Sequence, residues 1–120
     1  MALLALAAPE KLTAGTKKAI ERGPNQLSVI SYWEVLLKAG KGKLDVGDPA
    51  VWWQTAITDL AATTLPLRPD HVGQIPQLSS FHQDPFDRAL IAQAIMEGLT
   101  LITTDSIVAR YASDGLKVLR

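Results

Sequence analysis

Three acidic residues fall where a parallel α/β sheet would bring them together. Glu34 closely follows a short β-rich segment, Asp87 lies in the first turn of the strongest predicted helix, and Asp105 directly follows an apolar stretch. The carboxyl ends of parallel strands and the starts of the next helices share one edge of a sheet. Carboxylates gathered there repel one another, and a hard divalent cation such as Mg²⁺ or Mn²⁺ relieves that repulsion. Such an ion activates water and neutralises charge on a phosphate, so the pattern indicates metal-dependent phosphate chemistry.

Each of these residues also has an ordinary structural interpretation. Glu34 stands three residues after Ser31, as in the capping box of a helix start. Asp84 fits an N-cap, Asp87 a first-turn charge favoured by the helix dipole, and Asp105 the cap of a short helix. Taken singly, the structural interpretation is the stronger one, and only the shared edge favours a metal site. Another small α/β domain, with acids that only cap helices, remains an alternative.

Other polar and aromatic residues are weaker candidates for contacts with a substrate. His82 is close to the acidic helix start, although a histidine in a surface loop is the simpler interpretation. Lys41 and Lys43 flank a glycine and could contact phosphates, but their segment lacks the spacing of a P-loop. Three tryptophans could stack on bases or pack in a core or an interface: Trp33, Trp52 and Trp53.

Size and composition predict one globular domain over residues 1–120, with 48% hydrophobic and 20% charged residues. The chain has no cysteine, which excludes disulfides and zinc–thiolate sites and fits a reducing cytoplasm. Twelve basic and twelve acidic residues cancel, so any nucleic acid must be bound by locally placed charge. No apolar run approaches the roughly 20 residues of a membrane helix, and no signal peptide is recognised.

Hydrophobic periodicity and turn residues predict alternating helices and strands. Helices are expected near residues 13–21, 31–39, 49–59, 69–75, 85–97 and 107–111. Strands are expected near residues 27–31, 63–67, 99–103 and 116–119. This alternation predicts an α/β fold with a mostly parallel sheet. The apolar run at residues 3–6, before Pro9, is interpreted as the tail of a helix.

Several segments together resemble the PIN-domain toxins of the VapC type. The most specific is D-P-F-D-R-A-L-I-A-Q-A at residues 84–94, supported by S-V-I-S-Y-W-E-V at 28–35 and L-T-L-I-T-T-D at 99–105. The resemblance covers essentially the whole chain. It implies a three-layer α/β/α sandwich around a short, mostly parallel sheet. It also implies a ribonuclease that cuts single-stranded RNA with Mg²⁺ or Mn²⁺.

The resemblance also assigns roles to individual residues. Glu34, Asp87 and Asp105 fall on motif positions that bind the metal and carry catalysis. Asp84 becomes an auxiliary ligand, and Arg88 either pairs with Asp84 or contacts phosphate. His82, Lys41 and Lys43 remain weak candidates for substrate binding. An antitoxin protein that covers the acidic groove and a homodimer are the expected partners, in the cytoplasm and without a membrane.

One departure from the family pattern concerns the start of the chain. Family members begin with an apolar strand that ends in Asp and lies in the middle of the sheet, whereas this sequence starts Met-Ala-Leu-Leu. We therefore expect the first, central strand and its Asp to be missing. A gene start assigned too late is the favoured explanation; a degraded toxin or a substitute strand are the others. The alternative function is a catalytically impaired module that binds an antitoxin or RNA without cleavage.

Overall fold

A five-stranded parallel sheet organises the chain, in the strand order β3-β2-β1-β4-β5. The computed structural model describes residues 2–4, 14–103 and 105–119. The strands are β1 (Ala2–Leu4), β2 (Asn25–Ser28), β3 (Ala62–Leu65), β4 (Thr100–Ile102) and β5 (Lys117–Leu119). The helices are α1 (Ala14–Arg22), α2 (Val29–Gly40), α3 (Pro49–Asp59), α4 (Pro69–Gln74), α5 (Pro85–Glu97) and α6 (Ser106–Ala109). Short 3₁₀ turns follow α4 and α6, at Ile75–Gln77 and Arg110–Asp114.

The central strand is present, so the prediction that it is missing was wrong. Leu4 of β1 pairs with Leu27 of β2 on one side and with Ile102 of β4 on the other. Residues 3 and 4 belong to this strand and not to the predicted helix tail. Residues 5 and 6, which that prediction also covers, lie outside the described part. An apolar segment suits a central parallel strand, and it satisfies backbone groups that both neighbouring strands would otherwise leave unpaired. A strand of three residues is too short for periodicity to reveal.

Two hydrophobic cores cover the two faces of the sheet, which confirms the predicted α/β/α layering. Successive residues of β4 alternate between them: Leu101 packs in the core that α5 dominates, and Ile102 packs with Leu27 and Trp53 in the other. The first core contains much of α5 and the buried Tyr111, and the second is completed by α1 and α3. Helix α5 is therefore held rigidly against the sheet.

Helix α2 begins at a different cap from the one predicted. Ser28 is the N-cap, since its Oγ accepts a hydrogen bond from the Ile30 N–H at 3.0 Å. The same hydroxyl donates to Gln93 Oε1 of α5 at 2.5 Å, which links the two helices through a buried contact. The predicted capping box of Ser31 and Glu34 is wrong, because Ser31 is buried inside the helix. Glu34 thus lies in the second turn and has no capping role.

The sheet topology places the starts of α2 and α5, and the turn after β4, at the same edge. This edge carries the acidic residues singled out from the sequence, as parallel strand geometry predicts. Among the described helices, none is both long enough and apolar enough to cross a membrane.

Candidate metal centre

Two of the three predicted acidic residues, Asp87 and Asp105, converge on the imidazole of His82. The Nε2 atom of His82 lies 2.9 Å from Asp87 Oδ2 and 3.1 Å from Asp105 Oδ2. One ligand atom from each of the three side chains lies within 4.8 Å of the others. All three side chains are partly buried. Residues far apart in sequence therefore converge on one point at the carboxyl edge of the sheet.

The start of α5 positions two of the acids. Asp84 is the N-cap, and its Oδ1 accepts hydrogen bonds from the N–H groups of Phe86 at 2.8 Å and Asp87 at 3.4 Å. Pro85 occupies the first helical position, where its fixed φ favours the helix. Asp87 then projects from the first turn toward His82. The capping interpretation of Asp84 thus holds, and the cap also fixes where Asp87 stands.

Asp105 combines a capping role with a place in the cluster. Its Oδ1 accepts from the Ile107 N–H at 2.8 Å and so caps α6, while its own N–H donates to Thr103 Oγ1 at 3.1 Å. The other carboxylate oxygen, Oδ2, faces His82. Burial tends to raise the pKa of Asp105, but the hydrogen bonds from Ile107 and His82 outweigh it and hold this pKa below its ordinary value of 3.8.

A dense set of hydrogen bonds holds the loop that carries His82. The His82 N–H donates to the hydroxyl of Tyr111 at 2.9 Å, and Tyr111 donates in turn to the Ser79 carbonyl at 2.8 Å. Arg88 donates to the carbonyls of Ile75 and Ser79 at 3.1 and 2.9 Å, and to that of His82 at 3.4 Å. The guanidinium of Arg88 is thus engaged by the loop, which favours a structural role for it over the predicted contact with Asp84 or phosphate.

The electrostatics of Asp87 reflect the whole acidic group. Its pKa is raised from 3.8 to about 6. Partial burial is the largest cause, and the negative charge of Asp84 adds to it. The carboxylates of Glu34 and Asp105 act in the same direction, whereas His82 opposes them. Glu34 is therefore near enough to be felt at Asp87, although its closest ion pair is with Lys38, at 2.7 Å.

The donor set fits a divalent cation. Neighbouring ligands of an octahedral ion with bonds of about 2.1 Å lie about 3 Å apart, and opposite ligands about 4 Å apart. The oxygens of Asp87 and Asp105 lie within 4.8 Å of each other, which is compatible with a shared ion. Carboxylate oxygens are preferred by Mg²⁺ and Mn²⁺, and a bound cation would offset both the burial of the Asp87 charge and the repulsion from its acidic neighbours, which together raise the pKa of Asp87.

A lysine-lined cleft of about 420 Å³ adjoins the acidic group, between the end of α2 and the start of α5. Its walls include two acids, Glu34 and Asp84, and three lysines, Lys38, Lys41 and Lys43. Lys38 is paired with Glu34 at 2.7 Å, whereas no ion pair is found for Lys41 or Lys43 among the described residues. A polyanion could lie along the lysines while one of its groups reaches the carboxylates.

The three tryptophans separate in the structure, and the core alternative applies to Trp53 and Trp52. Trp53 is buried and stacks on Tyr32, with ring centroids 5.0 Å apart, and Trp52 packs against the same core. Trp33 is 52% exposed and meets Phe86, which lines the cleft, edge to face at 5.1 Å. Of these three rings, only that of Trp33 is presented to solvent beside the cleft.

Sequence reasoning treated His82 as a weak substrate contact and missed its central position. Its contact with Asp105 spans 23 residues of sequence, and local patterns do not reveal such a contact. The available sequence signal was the position of His82 two residues before Asp84, the N-cap of α5; in the structure the Asp84 N–H donates to His82 Nδ1 at 3.1 Å. The Asp that the family pattern expects at the end of the first strand has no counterpart here, because residues 1–9 contain neither Asp nor Glu.

Comparisons with solved structures show the same fold at low sequence identity. VapBC2 from Rickettsia felis, in a structure bound to a DNA fragment from its promoter, matches with a TM-score of 0.65 and 13% identity, over 88% of this chain and 80% of that one. FitAcB from Neisseria gonorrhoeae matches with a TM-score of 0.63 and 20% identity, over 100% and 97% of the two chains. FitAB bound to an IR36 DNA fragment matches with a TM-score of 0.64 and 19% identity, over 99% of this chain and 94% of that one. No curated protein matches the sequence.

The family model of the PIN domain matches residues 1–114, which is nearly the whole chain. This match includes β1 and the acidic edge of the sheet. It agrees with the VapC-type resemblance of the segment at residues 84–94, and VapBC2 is among the structural neighbours. PIN domains are generally nucleases, and their nuclease sites typically use a divalent metal. The chain therefore belongs to the PIN domain family.

Proposed function

We propose that this chain is a Mg²⁺- or Mn²⁺-dependent endoribonuclease that cuts single-stranded RNA and serves as the toxin of a toxin–antitoxin pair. The convergence of Asp87 and Asp105 on one point, with Glu34 and Asp84 near enough to shift the pKa of Asp87, carries the proposal. The shared sheet edge alone would also bring helix caps near one another, but capping does not require Asp105 Oδ2 and Asp87 Oδ2 to approach the same atom, His82 Nε2. Membership of a family whose members are generally nucleases supports the same reaction class.

In this proposal the carboxylates bind the metal and the lysines bind the RNA backbone. Asp87 and Asp105 would hold the cation, with Glu34 and Asp84 as further carboxylates. A bound cation would activate water and neutralise charge on the scissile phosphate. Lys41 and Lys43, which line the adjoining cleft, would bind flanking phosphates of the RNA.

Two further contacts concern the substrate and the partner. The exposed ring of Trp33 is suited to stack on an unpaired base beside the cleft. The structural neighbours VapBC2 and FitAB support an antitoxin partner, which would inhibit by covering the groove. We also propose a homodimer and a cytoplasmic location, the former testable by light scattering on purified protein.

Substitutions at two helix caps test the metal site. Asp105→Asn removes a negative charge from the cluster but leaves an amide oxygen that can still cap α6. Asp48→Asn is the matched control, because Asp48 caps α3 through a 2.9 Å bond to the Ala50 N–H and belongs to no acidic group found in the described residues. We expect Asp105→Asn to lose at least about tenfold in metal-dependent cleavage of single-stranded RNA, and Asp48→Asn to retain the parental rate.

The assay follows a labelled single-stranded RNA with Mg²⁺, with Mn²⁺ and with chelator, and uses the same sequence as DNA for comparison. Asp87→Asn should behave as Asp105→Asn does. Cleavage that persists at the parental rate in both variants, or that survives chelator, would refute the site assignment.

A binding module without catalysis is the second candidate. One observation favours it: the segment around β1 offers no carboxylate to the cluster, since the first acidic residue of the chain is Glu10. Such a protein would bind RNA or an antitoxin in the cleft and leave the RNA intact. Fluorescence anisotropy that detects RNA binding, with no product after prolonged incubation in Mn²⁺, would support this function over the nuclease.

A further inference from the structure

The imidazole of His82 occupies the space between the two aspartates, and its hydrogen-bond pattern defines where its hydrogen sits. Nδ1 accepts a hydrogen bond from the Asp84 backbone N–H at 3.1 Å. A neutral imidazole has one N–H and one acceptor nitrogen. Because Nδ1 is the acceptor, the ring hydrogen is on Nε2, where it is directed at the carboxylates: the hydrogen bond runs to Asp105 Oδ2 at 3.1 Å, and Asp87 Oδ2 lies 2.9 Å from the same nitrogen.

An Nε2–H group cannot coordinate a metal, since ligation needs the lone pair of that nitrogen. A cation shared by Asp87 and Asp105 would instead meet this N–H group in the space it needs. We propose that His82 is a gate on the metal site: its N–H competes with the cation for the two carboxylates, and its ring has to swing out before the ion binds. This inference rests on the proposed function, since it presumes that Asp87 and Asp105 bind the metal.

The surroundings of His82 allow the ring to move while the backbone stays. The backbone is held on both sides, by the hydroxyl of Tyr111 at its N–H and by Arg88 at its carbonyl. The side chain is 15% exposed and is followed by the exposed Gln83, at the rim of the cleft. Rotation of the ring toward solvent breaks its polar contacts with Asp84, Asp87 and Asp105, which are those found for the ring in the described part of the chain.

Two variants separate a gate from a ligand. His82→Ala removes the N–H and opens the space, so the gate predicts tighter metal binding, whereas a ligand predicts weaker binding. His82→Gln is the matched control, because its amide nitrogen can stand near the position of Nε2 and still donate to the carboxylates. The gate therefore predicts an affinity close to the parental one for His82→Gln.

The experiment measures Mn²⁺ binding to the full chain by isothermal titration calorimetry, with folding of each variant checked by circular dichroism. We expect His82→Ala to bind Mn²⁺ about ten- to a hundredfold more tightly than the parent, the range for a hydrogen bond to a charged group. Equal or weaker binding by folded His82→Ala, while the parent binds Mn²⁺, would overturn the gate and leave the nuclease proposal standing. Absence of Mn²⁺ binding in the parent and in both variants would overturn both proposals.

A second measurement uses the parental protein and does not depend on any variant. In a ¹⁵N-labelled sample, the Nε2–H signal of His82 should be slow to exchange without metal, because it is hydrogen-bonded to Asp105. Titration with diamagnetic Mg²⁺ should release this hydrogen to rapid exchange as the ring leaves. An Nε2–H signal that stays protected at saturating Mg²⁺ contradicts the gate.

Discussion

Replacing Asp87 by Asn is expected to stabilise the protein when no divalent metal is present, although Asp87 belongs to the proposed catalytic centre. The pKa of Asp87 is about 6, against an ordinary value of 3.8. One pH unit of difference corresponds to about 1.4 kcal/mol, so at pH 7.5 the ionised side chain destabilises the fold by up to about 3 kcal/mol. Because 24% of this side chain is exposed, solvent screening reduces the effect by about half. The favourable interaction of a negative charge with the start of α5 is already contained in this net pKa, so the expected gain is about 1.5 kcal/mol.

The pH dependence of this gain has a defined sign. Asp87 binds its proton more tightly in the folded than in the unfolded chain, so parental stability falls as the pH rises through the window from 3.8 to about 6. The Asn variant lacks this loss. The difference between the two proteins should therefore be small below about pH 4, grow through the window and stay constant above it.

Urea unfolding in chelator at pH 4 and pH 7.5, followed by tryptophan fluorescence, measures the stability gain of Asp87→Asn and its dependence on pH. Asp48→Asn is the control for an Asp-to-Asn change. Added Mn²⁺ should then stabilise the parent and leave Asp87→Asn nearly unchanged. If Asp87→Asn is less stable than the parent at pH 7.5 in chelator, or if the difference does not vary with pH, burial and carboxylate repulsion do not make the ionised Asp87 destabilising.

Three further predictions address the rest of the molecule. Asp114 accepts two hydrogen bonds from Ser79 that hold the pKa of Asp114 below 3.8, so Asp114→Asn should lower the free energy of unfolding by about 1 kcal/mol. Urea titrations should show the whole loss above about pH 4 and a smaller loss below it. A loss that does not vary with pH would contradict this prediction. Arg88→Met should reduce the free energy of unfolding by about 3 kcal/mol, since several loop carbonyls lose their donor. A loss under about 1 kcal/mol in thermal unfolding would contradict the stabilising role of the Arg88 hydrogen bonds to the loop. The double variant Lys41→Ala, Lys43→Ala should weaken RNA binding and reduce the slope of log affinity against log salt by about 1.4, at about 0.7 per phosphate contact on a single strand, while Mn²⁺ affinity stays unchanged. A slope that does not change in fluorescence anisotropy would exclude these lysines from RNA binding.

Most helices and strands could be predicted from the sequence because their boundaries carry local chemistry. Helix α3 starts at Pro49 and ends at Asp59, as predicted, since the Asp-Pro pair is a strong start signal. Helix α5 ends at Gly98, which adopts the left-handed φ of +65° that glycine accepts readily. The central strand could not be predicted, because three apolar residues have no periodicity and their pairing is decided by the neighbouring strands.

At the start of α2, a tertiary contact determines which of two serines is the N-cap. Ser28 and Ser31 both precede helix-forming residues, and Ser31 has the additional Glu34 three residues later. The fold selects Ser28, whose hydroxyl also meets Gln93 in the interior. That buried contact depends on α5, so nothing within the segment itself could reveal it.

The capping and metal-binding interpretations of the acids, treated as competitors from the sequence, are compatible in the structure. Asp105 uses one oxygen to cap α6 and the other to face the cluster, and the cap of Asp84 fixes the first turn from which Asp87 projects. A cap orients a carboxylate through backbone N–H groups that are themselves part of a rigid helix. The acids are therefore held in place before any cation arrives, and the repulsion between them is sustained by the caps. If this is correct, the mobile element of the site is His82, and metal binding should leave the backbone amide signals of α5 nearly unshifted while it moves that one ring.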